Sequence, residues 1–237
     1  MTKPRGWALT ALVLSALVAC VDPSTDPSST TQTVTLPETT TPTTTSPATP
    51  PTMGLVGCSM TVDAAEGMRT AGASYVWGIR GLGYGGGSIA RWSNPRDPRG
   101  FWERFDVALA AEPETEAIWW QLCTSGAEDD NFDRALAVLS EIENRVPGAT
   151  IYVSAQPGYE AGHVCSSAGP DGPRLMQDIA DRLVDTGRVQ AGPVLPPLGS
   201  NHLVDDCHAG PEGKEQMAQA IDRFFTGVAA GDAGAGY

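Results

Sequence analysis

Asp205-Asp206-Cys207-His208, near the C-terminal end of the chain, sets a carboxylate three residues before an imidazole. At that spacing the carboxylate can hold one ring nitrogen, fix the tautomer and stabilise the charged ring, which leaves the other nitrogen to take a proton from a hydroxyl. Such a pair needs a nucleophile. The best candidate is far upstream, Ser59 in Gly57-Cys58-Ser59. A histidine before a final helix also suits a capping or surface role, and a serine after a strand is ordinary, so the pairing of the two carries the inference. A metal-dependent site built from Asp205, Asp206, His202 and His208 is a competing reading, but no helical His pair or Cys-x-x-Cys supports it. His202 and His163 read as loop residues, and Asp206 as a side chain turned to solvent.

The elements between these ends follow from periodicity. Gly54-Leu55-Val56-Gly57-Cys58 reads as a short buried strand whose end presents Ser59, and Thr61 to Thr70 as a weak helix facing inward through Ala64, Ala65 and Met68. Ser74 to Ile79 suits a second strand. The glycine run 81–88 suits left-handed backbone or close approach of a ligand to the main chain, and equally a merely flexible loop; it is a poor match to a dinucleotide-binding loop. Helices are expected over Phe101–Ala111, Asn131–Arg145, Arg174–Val184 and from Pro211 onward, the last facing inward through Met217, Ile221 and Phe224. Further strands are expected at 117–123, 150–154 and 192–195. Strand and helix alternate, so the expected class is α/β with a parallel sheet. In such sheets ligands meet the carboxyl ends of the strands, where Ser59, the glycine loop, the Cys123–Gly126 turn and the Asp205–His208 loop would gather. Trp119 and Trp120 read as core; Trp77, Trp92 and Trp102 are the candidates for a carbohydrate-facing wall.

Not all of the 237 residues can belong to this domain. Residues 1–20 form a leader: Lys3 and Arg5 precede a mostly apolar run from Trp7 to Val18, and the segment ends Leu17-Val18-Ala19-Cys20. That ending resembles the lipobox of bacterial lipoproteins, which implies lipidation of Cys20 and a membrane anchor. Residues 21–52 are almost all Thr, Pro, Ser and a few acids, too poor in large apolar side chains to offset the entropy of ordering, and read as a disordered tether. Residues 53–237 remain as one domain. The formal net charge is −13, and loss of Lys3 and Arg5 with the leader makes it more negative, which argues against nucleic acid as a partner. Besides Cys20 the chain has Cys58, Cys123, Cys165 and Cys207. In an exported protein this even number suggests two disulfides.

Across 53–225 the order and spacing resemble the SGNH (GDSL-like) hydrolases. The resemblance rests on Gly57-Cys58-Ser59, on Gly85-Gly86-Gly87-Ser88, on Gln121-Leu122-Cys123-Thr124-Ser125 and on Asp205-Asp206-Cys207-His208. It implies a flavodoxin-like three-layer α/β/α sandwich, with Ser59 as nucleophile, His208 as general base and Asp205 orienting it. It implies an oxyanion hole from the amides of Ser59 and Gly86 and from Ser125. It also brings the ends of the first and third strands together, which implies the disulfide Cys58–Cys123 and leaves Cys165–Cys207. Three positions depart from the family pattern: Cys58 stands where an Asp is usual, and Cys123 and Ser125 stand where glycine and Asn are usual. Losing one oxyanion donor typically costs about 10²–10³ in rate. The reading is therefore a cell-envelope serine esterase, extracytoplasmic and monomeric, acting on a small ester or an acylated glycan without metal or cofactor. The alternative is a weak or inactive binding lipoprotein on the same fold.

Overall fold

The computed structural model of the protein describes residues 49–77, 84–126 and 130–231, all within one compact unit spanning 44–237. The leader, Cys20, most of the tether, Gly78 and Ile79 of the second expected strand, and residues 81–83 of the glycine run lie outside the described residues.

Four strands, β1 (Met53–Val56), β2 (Ala117–Leu122), β3 (Thr150–Ala155) and β4 (Gln190–Ala191), form an all-parallel sheet in the order β1-β2-β3-β4. Pairing already begins at Thr52, whose carbonyl accepts from Glu116 and Ala117. Outside β1 the chain at Tyr75–Trp77 makes a single parallel bridge. Met53 N donates to Tyr75 O at 2.7 Å, and Trp77 N donates to Met53 O at 3.0 Å. The expected strand at 192–195 is displaced: β4 ends at Ala191, Gly192 N still donates to Val153 O at 2.8 Å, and Pro193 then has no N–H to continue the ladder.

Helices fill the crossovers and close the chain: α1 (Ser59–Thr70), α2 (Ile89–Trp92), α3 (Phe101–Ala111), α4 (Phe132–Arg145), α5 (Gly172–Asp185) and, after the last strand, α6 (Pro211–Ala230). Consecutive side chains of a strand point to opposite faces, and both Trp119 and Trp120 are buried, so the sheet is covered on both faces. Ala64, Ala65 and Met68 are the buried face of α1, as their spacing implies. In α6 the buried residues are Met217, Ile221 and Phe225, with Phe224 only partly covered. α1 lies directly against α6. A Cβ added at Gly67 would collide with the Lys214 carbonyl, so glycine lets the two backbones meet. That contact brings the helix beginning at Ser59 beside the helix that follows His208.

Two disulfides close the fold: Cys58–Cys123, with Cα atoms 6.1 Å apart, and Cys165–Cys207, with Cα atoms 4.5 Å apart. Such bridges belong to an oxidising, extracytoplasmic compartment. No helix among the described residues is long and apolar enough to cross a membrane.

Candidate active site

Ser59 is the first residue of α1, not the end of a strand. Its N–H therefore has no acceptor within the helix and lies at the positive end of the helix dipole. The turn before it is tightly held. Trp92 Nε1 donates to Gly57 O at 2.7 Å, and Tyr84 OH donates to Leu55 O at 3.0 Å. Cys58 N donates to Thr61 Oγ1 at 3.0 Å, and the Thr61 hydroxyl passes on to Gln121 Oε1 at 2.6 Å. A Cβ at Gly57 would collide with that hydroxyl, so only glycine lets the chain pass.

His208 sits on a small loop that closes on itself through the antiparallel bridge Leu203–Ala209 and the bond from Val204 N to His208 O, 3.0 Å. Asp205 organises the loop. Its Oδ1 accepts from His208 N at 2.6 Å and from Cys207 N at 2.8 Å, while its Oδ2 lies 2.8 Å from His208 Nδ1. These donors, the His208 and Cys207 backbone amides first and then the ring, hold the Asp205 carboxyl at about 2, below the usual range. A carboxylate only accepts, so Nδ1 carries the ring proton. Nε2 then accepts the Ser59 hydroxyl, 2.8 Å away. The result is a continuous chain Asp205–His208–Ser59 between segments 149 residues apart.

The other expected members meet in the same cleft, of about 200 Å³: Gly86 and Ser125 line it together with Ser59 and His208. All four bridged cysteines line it too, each disulfide lying next to one member of the pair. Ser125 does not stand as an isolated donor. Its N–H donates to Asp130 Oδ2 at 2.9 Å, and its hydroxyl faces the same oxygen at 3.4 Å.

Several residues escape the sequence reading. Asp130 is buried and also accepts from Thr124 Oγ1 at 2.9 Å and Ala90 N at 2.7 Å, so it ties the end of β2 to α2. Nothing in the acidic run around it marks it out. Asp63, one turn after Ser59, accepts from Ala209 N at 3.1 Å and pairs with Lys214 at 3.0 Å. Tyr159 OH donates to Cys207 O at 3.1 Å. Its phenol is pushed up to about 12, chiefly by burial and then by Asp206, Asp205 and Asp63. Asp206 is not simply turned to solvent, since it accepts from Ser166 N at 2.9 Å and so joins the two disulfide-linked loops. His202 stays in its own turn, where its Nδ1 accepts from Gly199 N at 3.0 Å.

The tryptophans correct one expectation. Trp77, Trp92 and Trp102 are all buried and form no wall; Trp92 stacks on Phe101 and meets Trp102 edge-on. Their spacing gave no sign of this, because the partners that bury them come from other segments. No family model and no curated protein matches the chain.

Proposed function

We propose that the chain is a serine ester hydrolase of the SGNH (GDSL-like) type. The observation that carries this reading is the 2.8 Å contact between Ser59 Oγ and His208 Nε2, with Asp205 on the far nitrogen. Ser59 Oγ attacks the ester carbonyl carbon while His208 Nε2 takes its proton. The resulting oxyanion is met by the amides of Ser59 and Gly86. The tetrahedral species collapses, the C–O bond to the alcohol breaks, and the imidazolium protonates the departing alkoxide. Water then attacks the acyl-Ser59 ester by the same route and releases the acid.

The topology supports a flavodoxin-like three-layer α/β/α sandwich. With the 75–77 segment outside β1, the sheet order is that of doubly wound proteins, and the reacting groups lie at the carboxyl ends of β1 and β2 and after β4. The leader, Cys20 and the Thr/Pro/Ser-rich stretch support export as a lipoprotein held at the cell envelope. The proposed substrate, a small ester or an acylated glycan, follows from the esterase reading and that location alone.

A serine-reactive phosphonate should label the wild-type protein and not Ser59→Ala. Esterase turnover retained in Ser59→Ala excludes this mechanism. A second reading, a binding lipoprotein with little or no turnover, is favoured by one observation: the Ser125 hydroxyl faces Asp130 where the family has an Asn. That reading requires an inactive wild type over a broad ester panel.

A further inference from the structure

Arg99 grips the far end of the peptide unit to which Gly86 N–H belongs: its Nη1 donates to Gly85 O at 2.7 Å. In a planar trans peptide the C=O and N–H point in opposite directions, so fixing the oxygen fixes the aim of the amide. Gly86 is built for this approach. Its φ is +73°, and a Cβ there would collide with Arg99 Nη1, whereas a Cβ at Gly85 would meet nothing within 4 Å. Arg99 itself starts from a fixed point. Its N–H donates to Asp97 Oδ1 at 2.9 Å, its carbonyl accepts from Arg104 Nη2 at 2.5 Å, and Asp97 pairs with Arg91 at 3.2 Å. Among the described residues no carboxylate pairs with the Arg99 guanidinium, so its charge is directed at that one carbonyl.

We infer that Arg99 is a positioning residue of the oxyanion site: by binding Gly85 O it aims Gly86 N–H into the cleft and strengthens it as a donor. This rests on the esterase reading above. A cationic donor on the carbonyl polarises the peptide and deepens the partial positive charge on its amide hydrogen. The arrangement matters here because the Ser125 hydroxyl is drawn to Asp130, which leaves the backbone amides as the principal donors.

The test is steady-state kinetics on a small ester, together with the rate of phosphonate labelling, in wild type, Arg99→Ala, Arg99→Lys and Arg96→Ala. Arg99→Ala should lower kcat about ten- to hundredfold, short of full loss of an oxyanion donor, with KM moved less than about twofold. Labelling should slow in parallel, and added guanidinium ion should restore part of both rates. Arg99→Lys should fall between the two, and the neighbouring Arg96→Ala should match wild type. An active wild type with unchanged kcat in Arg99→Ala overturns the inference and leaves the esterase standing. A loss in Arg99→Ala that comes with a lowered melting temperature and no guanidinium rescue also overturns it, because the role is then only structural. A wild type that neither turns over nor labels overturns both readings.

Discussion

Ser59 and Asp63 lie one helical turn apart on α1, and Asp63 Oδ2 accepts the amide that directly follows His208, Ala209 N, at 3.1 Å. The helix that presents the hydroxyl thus also grips the backbone that presents the imidazole. Asp63→Ala should therefore loosen the pair. It leaves Ala209 N–H without its acceptor, at a cost of about 1–3 kcal/mol, while Lys214 keeps its pair with Glu66. Thermal unfolding should show that loss, and kcat should fall about tenfold or more, since small misplacements of reacting groups are costly. An unchanged kcat would show that the His208 loop holds its position without α1.

Asp205 should matter more to rate than to fold. Asp205→Asn removes the acceptor that sets the ring tautomer and should lower kcat by about 10³–10⁴, by analogy with serine hydrolases in general. Esterase rates at saturating substrate test this.

The acid dependence follows from the same carboxylate. Its folded-state value, about 2, lies below the ordinary Asp value of about 3.9. A depressed carboxyl stabilises the folded state above its unfolded value and loses that contribution as pH falls through its folded value. The melting-temperature gap between wild type and Asp205→Asn should thus be constant above about pH 5 and shrink toward pH 2. Activity lost between neutrality and pH 4 does not arise from Asp205, which is still ionised there.

The second disulfide spans 42 residues and ties the 156–171 loop to the residue before His208. Replacing Cys165 and Cys207 together by Ser should cost about 4 kcal/mol if closure entropy dominates. Turnover should fall further than stability accounts for. Urea unfolding and kinetics on the double variant separate the two effects.

Ser125→Asn introduces the side chain that SGNH hydrolases, the family proposed above, use at this position. A rigid amide in place of a hydroxyl facing Asp130 should raise kcat, by about tenfold at most if the two backbone donors already meet most of the charge. No change, with the fold intact, would show that the backbone hole is complete without position 125.

Much of this was legible in the chain itself. The inward face of α1 and the α3 span follow from side-chain periodicity, and the central strand β2 from its unbroken apolar run, both of which local sequence carries. Ser59, Asp205 and His208 stand out because their chemistry is unusual in combination. Asp63, Arg99 and Asp130 do not, since each acts by accepting or donating across segments that only the fold brings together. Three further differences have the same origin. The helical start at Ser59 depends on Thr61 and Gln121, the shortness of β4 on where Pro193 meets β3, and the burial of Trp77, Trp92 and Trp102 on their mutual packing.

Cys58 and Cys207 are the residues immediately before Ser59 and His208, and both are bridged. Assembly of the Ser59–His208 pair is thereby tied to thiol oxidation. A chain whose thiols are still reduced lacks the covalent frame around both residues.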